Sequence, residues 1–137
     1  MPDELVIDAS VAAKIFFTED GSEAARALAV SGQRFCAPEF IALEIASIGA
    51  KYARKGEIEV DHGTLAIQSL GELIDHFEPV LNLSERALIL AVEHGFSVYE
   101  ASYLALAEIR ESKVVTADRK LHLRAQDVGL GARTQLL

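Results

Sequence analysis

The sequence predicts a three-layer α/β/α sandwich on a mostly parallel central sheet, and three features carry that prediction. Short apolar runs at Leu5-Val6-Ile7 and Val114-Val115 lack the alternation of a half-solvated strand, so both faces of each must be covered. Segments with helical spacing separate the apolar runs, as crossover connections between parallel strands require. Each of the two runs leads to a carboxylate, Asp8 directly after Ile7 and Asp118 after Thr116-Ala117. In open α/β sheets that carboxyl edge is where ligands and catalytic groups gather.

Taken in order, the chain leaves its first strand at Asp8, where Asp8 or Ser10 has the plainer role of capping a helix that begins near Val11. Residues 11–17 and 22–30 read as two short helices separated by Thr18-Glu19-Asp20-Gly21, with Gly32 ending the second. Phe35-Cys36-Ala37 is a brief second strand. Pro38 stands at a first helical position and opens the longest helix, 39–55, closed by Gly56. Lys51, Arg54 and Lys55 in its last turns complement the helix dipole, a role favoured over an RNA-binding patch. A helix over 60–74 precedes a strand over 77–81, which Pro79 places at or near a sheet edge. Ser84 caps a helix over 85–93 that Gly95 ends. A helix over 99–110 then leads to the strand 113–116 that delivers Asp118. Residues 119–126 form the last helix, and 132–137 add a final strand. No repeat, linker or boundary interrupts this order, so residues 1–137 are read as a single domain.

A chain of 137 residues buries roughly two thirds of the surface its unfolded form exposes, so folding needs neither disulfide nor metal. Cys36 is the only cysteine, which suits a reducing compartment, and between Phe35 and Ala37 it reads as a small buried apolar group. No basic-then-apolar leader opens the sequence, and Glu44 and Glu93 cut the apolar runs well short of membrane-spanning length. A soluble, cytoplasmic protein without membrane association is expected. The net charge of −8, from 21 acids against 13 Lys and Arg, opposes long-range attraction of nucleic acid. A polyanionic substrate would need local help, which acids that collect divalent cations supply by reversing the local charge.

Asp8 and Asp118 meet at one edge if their strands are neighbours, and two glutamates join them from helices. Ile41, Ile45, Ile48 and Tyr52 form one helical stripe, with Glu44 on its margin between Ile41 and Ile48. Glu100 lies within the stripe of Tyr103, Leu104 and Ala107, so it faces the protein rather than water. Buried unpaired carboxylates are costly, and each needs a cation, a donor or a proton. Arg or Lys partners are the plainer answer, yet the sequence shows no matching set of basic residues on those faces. Carboxylate oxygens without histidine or thiolate select Mg²⁺ or Mn²⁺ over zinc. His62, His76, His94 and His122 are scattered without ligand spacing and read as surface or packing residues. Acids around such an ion point to metal-assisted attack of water on a phosphodiester.

Four blocks also carry a resemblance: Val6-Ile7-Asp8-Ala9-Ser10-Val11; Pro38-Glu39-Phe40 running into Leu43-Glu44; the segment from Val98-Tyr99-Glu100 to Ala107; and Val115-Thr116-Ala117-Asp118-Arg119-Lys120-Leu121. In this order they resemble the signature blocks of PIN-domain ribonucleases, above all the VapC-type toxins of bacterial toxin–antitoxin pairs, and they cover essentially the whole chain. The resemblance implies a PIN-like α/β/α fold, Mg²⁺- or Mn²⁺-dependent endonucleolytic cleavage of RNA, a homodimer, and inhibition by a cognate, VapB-like antitoxin. Carried over by position, Asp8, Glu44 and Asp118 match acids of the family's site, and Ser10 and Thr116 match supporting hydroxyls. Where these toxins usually have Asp after Val-Tyr, this chain has Glu100. Asp8, Glu44, Glu100 and Asp118 are thus the expected catalytic residues and metal ligands.

Two other readings compete. A non-catalytic relative that works by binding its antitoxin is prompted by Glu100. A phospho-acceptor signalling domain would need an acid pair at the first strand, an acceptor Asp ending the third and a late strand-end Lys. Here the extra acids lie in helices and Leu81 is followed by Asn82. Finally, Ile15, Phe16 and Phe17 exceed what one amphipathic stripe needs, so some of them are expected to line an inter-chain or antitoxin groove.

Overall fold

Leu5, Val6 and Ile7 set the layers, because successive strand side chains point to opposite faces and all three are fully buried. Leu5 and Ile7 enter one core and Val6 enters another on the far side of the sheet. The computed structural model describes residues 3–137. Its elements are β1 (Glu4–Ile7), α1 (Ala9–Phe16), α2 (Ser22–Ala29), β2 (Arg34–Pro38), α3 (Ile41–Arg54), α4 (Val60–Leu73), β3 (His76–Glu78), α5 (Leu81–His94), α6 (Val98–Ile109), β4 (Val114–Thr116), α7 (Arg119–Asp127) and β5 (Thr134–Leu136), with a short 3₁₀ turn at Gly131–Arg133 before the last strand. Every strand pairing is parallel, in the order β3-β2-β1-β4-β5, so the expected α/β/α sandwich is the observed one.

Residues of α1, α3 and α4 build the first core around Leu5, Ile7, Phe35 and Val115. The second gathers α5, α6 and Leu121 of α7 around Val6, Cys36 and Val114. Helix α6 runs through the latter, buried at every residue from Ala101 to Ala107. The strand order places the site. The chain builds outward from β1 through β2 to β3, then returns to the other side of β1 as β4, with Ile7 opposite Val115. Connections diverge at that switch point and leave a crevice at the carboxyl ends of β1 and β4.

Several local expectations are corrected. Pro38 ends β2 rather than opening a helix, and α3 begins at Ile41. Its missing N–H costs the sheet nothing: β1 pairs with β2 only as far as Cys36, and the next N–H, of Glu39, bonds Glu78 O on the opposite side. The third strand stops at Glu78, with Pro79 just beyond it, and it is indeed an edge strand. Helix α5 starts one turn before Ser84, which is no cap: its hydroxyl donates back to Val80 O at 2.7 Å. Gly95 closes α5 as expected, in the left-handed conformation at φ +74°.

Of Ile15, Phe16 and Phe17, only Phe17 is fully buried within the chain, while Ile15 and Phe16 keep part of their surface exposed. Phe17 is buried against Tyr52 and His62, and Ile15 and Phe16 pack partly on the same core, where α2 and α3 contact α1. The large exposed apolar side chains are others, including Leu43, Leu81, Leu88, Val98 and Tyr99. Cys36 is fully buried, and burial pushes its thiol up to about 12, so it offers no thiolate at neutral pH. Among the described residues no helix is long and apolar enough to cross a membrane.

Candidate active site

Four helices begin around the crevice, and each carries one of the expected acids in or before its first turn. Asp8 caps α1, Asp118 caps α7, Glu44 lies in the first turn of α3 and Glu100 in that of α6. All four line a single recess of about 390 Å³, with Ser10, Ser97, Tyr99 and Tyr103. The positive ends of four helix dipoles therefore face one cluster of carboxylates. A comparable groove between α3 and α4, lined by Gly49, Ala50, Gly63 and Ile67 among others, contains none of these acids.

The two aspartates show that capping and site roles coexist. Asp8 is only 6% exposed. Its Oδ1 accepts from the Ser10 hydroxyl at 2.6 Å and from Val11 N–H at 3.2 Å. Asp118 Oδ1 accepts from Leu121 N–H at 3.2 Å. A hydroxyl bridge joins the two strand ends: Ala117 N–H donates to Ser10 Oγ at 2.9 Å, Ser10 Oγ lies 3.3 Å from Thr116 Oγ1, and Thr116 Oγ1 accepts from Asp118 N–H at 3.0 Å. Ser10 and Thr116 thus tie the Asp8 carboxylate to the backbone that carries Asp118. Burial pushes the Asp8 carboxyl above its usual range, against the lowering effect of these hydrogen bonds.

Glu44 reaches the recess from the side of α3 and is held by a residue that sequence reasoning placed only in a packing stripe. Tyr103, 4% exposed, donates its hydroxyl to Glu44 Oε1 at 2.6 Å, and its ring stands edge-on to Phe40. Burial raises the Glu44 carboxyl too, with the nearby Asp8 charge adding to it and the Tyr103 bond opposing it. Neither Asp8, Glu44 nor Asp118 has an Arg or Lys partner among the described residues, as the sequence suggested.

Glu100 departs from that expectation. Its carboxylate Oε1 accepts from Ser97 N–H at 2.9 Å while Ser97 Oγ accepts from Glu100 N–H at 3.1 Å, a capping box that the Ser97-x-x-Glu100 spacing signals. Arg124 of α7 stands 3.6 Å from the same oxygen, donates to Gly95 O at 2.6 Å and lies over the Phe96 ring. Glu100 is therefore an ion-paired helix-capping residue that also lines the recess.

A match to the PIN domain family model spans residues 5–126. The ribonuclease VapC3 of Pyrobaculum aerophilum is 32% identical over 120 residues, covering 86% of this chain and 92% of the relative. The ribonuclease VapC9 of Mycobacterium tuberculosis is 36% identical over 125 residues, 91% of each chain. This chain belongs to the PIN-domain family. The crystal structure of PAE2754 from Pyrobaculum aerophilum has the same fold, with a TM-score of 0.71 and 24% identity over 96% of this chain and 90% of that one.

Whether this PIN-domain recess suits a divalent cation is decided by its donors. They are carboxylates and hydroxyls without nitrogen or sulfur, the set preferred by hard ions. Two of the acids, Asp8 and Glu44, are desolvated without any cationic partner, the deficit a bound cation would relieve. Among the described residues, however, no three acidic, histidine or cysteine side chains already converge into a cage. The residues fit such an ion, but side chains must close on it, and Glu100 would first have to share its oxygen with Arg124.

Proposed function

We propose that this PIN-domain protein is an endoribonuclease toxin of a toxin–antitoxin pair that needs a divalent cation, Mg²⁺ or Mn²⁺. Four acids on four helix N-termini facing one recess at the sheet's switch point carry the reading. Its relatives named VapC ribonucleases support it, at 32% and 36% identity. Asp8, Glu44, Glu100 and Asp118 would hold the ion, with Ser10 and Thr116 positioning the two aspartates. When bound, the ion supplies charge stabilisation for the phosphate oxygens and lowers the pKa of an attacking water.

The chain's own residues do the rest. The Ser10 hydroxyl is committed to Asp8 and accepts from Ala117 N–H, so it is not an available nucleophile, and Cys36 is buried away from the recess. Water, activated by the bound ion, would be the nucleophile. Tyr103 keeps Glu44 turned into the recess, and the hydroxyl bridge ties Asp8 to the backbone that carries Asp118. The recess offers shape and charge but no base-reading array, so RNA would be selected by its single-stranded form and local structure.

As parts of the same proposal, residues 1–137 act as one domain, the protein is cytoplasmic and homodimeric, and a VapB-like antitoxin inhibits it. An antitoxin Arg or Lys entering the acidic recess would compete with the cation. The test is cleavage of RNA by purified protein, abolished by EDTA and by Asp8→Asn. Activity that persisted under both would sink the metal mechanism. Antitoxin binding with no cleavage of any RNA in either metal would favour a role in binding alone.

A further inference from the structure

We infer that the C-terminal half of α3 forms a phosphate-binding ledge, on which Lys51 and Lys55 receive the backbone of the RNA strand as it leaves the acidic recess. The inference rests on the ribonuclease reading above. Its starting point is helical periodicity: Glu44, Ile48, Lys51 and Lys55 stand at i, i+4, i+7 and i+11 and share one face of α3. At about 1.5 Å of rise per residue, the two lysines lie roughly 10 and 16 Å beyond Glu44 along that face.

A second recess confirms where that face leads. Ser10, Ala117 and Asp118 line one part of it, and Lys14, Lys51 and Lys55 line another. Ser10 and Asp118 also line the acidic recess, so the two depressions adjoin at these two residues. The charged groups facing the second recess are Lys14, Lys51, Lys55, Glu19 and Asp118. Lys14 and Glu19 cancel: Lys14 Nζ lies 3.3 Å from Glu19 Oε1 and donates to Asp20 O at 2.6 Å, and Glu19 also accepts from the Tyr52 hydroxyl. Lys51 and Lys55 are exposed and have no acidic partner among the described residues.

Complementing the α3 dipole explains a positive charge in the last turn, but not this face. Arg54 meets the same electrostatic need and lines the groove towards α4 instead. On a chain of net charge −8, two unpaired ammonium groups beside the cluster of acids mark where a polyanion can land. Lysine binds phosphate as a point charge and reads no base, so the ligand class is a single-stranded ribonucleotide backbone.

The experiment is the salt dependence of binding to a short fluorescein-labelled single-stranded RNA of mixed sequence, in EDTA so that cleavage is off. The parent, Lys51→Gln/Lys55→Gln, Lys51→Arg/Lys55→Arg and Lys113→Gln proteins are compared. Lys113 lies at the amino end of β4, on the opposite edge of the sheet. Two lost phosphate contacts lower the slope of log K against log salt by about 1.4, equivalent to about 25-fold weaker binding at about 0.1 M salt and none near 1 M. The arginine pair and Lys113→Gln should keep the parent's slope. A parent that binds RNA while the glutamine pair keeps an unchanged slope overturns the ledge alone. So does a glutamine pair that only melts earlier, since that is the dipole role. A parent that binds no RNA at any salt in EDTA overturns the ledge, and whether the same protein cleaves RNA in Mn²⁺ decides the ribonuclease reading separately.

Discussion

Replacing Tyr103 by Phe removes one oxygen from the site and leaves the ring against Phe40, so it isolates the hydroxyl that holds Glu44. A hydrogen bond to a charged acceptor contributes about 1.5–3 kcal/mol. Glu44 is half-buried and can take a water in exchange, so the lower end applies, about 1.5 kcal/mol. In a domain of this size that is a fall of about 5 °C in Tm. The pH dependence follows from the direction of the Glu44 shift. Its folded-state carboxyl lies above the usual 4.5, so the folded protein holds that proton more tightly than the unfolded chain, and stability falls as pH rises above 4.5. The Tyr103 bond favours the ionised form; without it the carboxyl moves further up. Tyr103→Phe should therefore lose most Tm at neutral pH and progressively less on acidification. The acidic limb of its RNA-cleavage profile should move to higher pH, with an approximately tenfold lower rate at neutral pH for about 1.4 kcal/mol of lost positioning. Thermal melts and initial rates across pH check both. A variant that melts earlier but cleaves like the parent at every pH would show that Tyr103 serves stability only.

Three other substitutions probe the remaining acids. Asp8→Asn should abolish cleavage yet raise Tm at neutral pH, because Asn caps about as well as Asp and removes a buried charge whose carboxyl is raised above 3.8. That gain should vanish as pH falls below 3.8, and a Tm loss at neutral pH would contradict it. Cleavage should be faster with Mn²⁺ than with Mg²⁺, since Mg²⁺ demands the stricter geometry, and Glu100→Asp should keep or raise the Mg²⁺ rate. If Glu100→Asp and Glu100→Ala both match the parent, Glu100 is outside the reacting site. Arg124→Gln frees Glu100 from its ion pair and should tighten Mn²⁺ binding about two- to fivefold, read from the electron paramagnetic resonance of free Mn²⁺. Weaker or unchanged binding would show that Arg124 does not compete for that carboxylate.

Much of this site is legible in the chain because its logic is local. An apolar run ending in Asp marks a buried strand reaching the carboxyl edge, and both Asp8 and Asp118 stand where that pattern puts them. Glu44 and Glu100 were visible as acids on apolar helix stripes. What periodicity could not supply is pairing between distant segments. Nothing near Glu100 announces Arg124, which arrives from α7. Tyr103 looked like core because its ring is core; only the fold brings its hydroxyl to Glu44. A proline suits a helix start as well as the end of a strand, and the pairing of Pro38 with Glu78 of β3 decides between them. The burial of Phe17 likewise depends on α3 and α4, which bring Tyr52 and His62 against its ring. Ser97 is legible too, since Ser-x-x-Glu before an apolar run signals a capping box.

Locating the ion itself tests the central claim most directly. Crystals of the protein soaked in Mn²⁺ and measured at an energy where manganese scatters anomalously should show a peak within the recess bounded by Asp8, Glu44, Glu100 and Asp118, and Asp8→Asn crystals should lose it or show it much weakened. A protein that cleaves RNA in Mn²⁺ while its anomalous peak lies elsewhere, or is unchanged in Asp8→Asn, would contradict the assignment of these four acids as the metal centre.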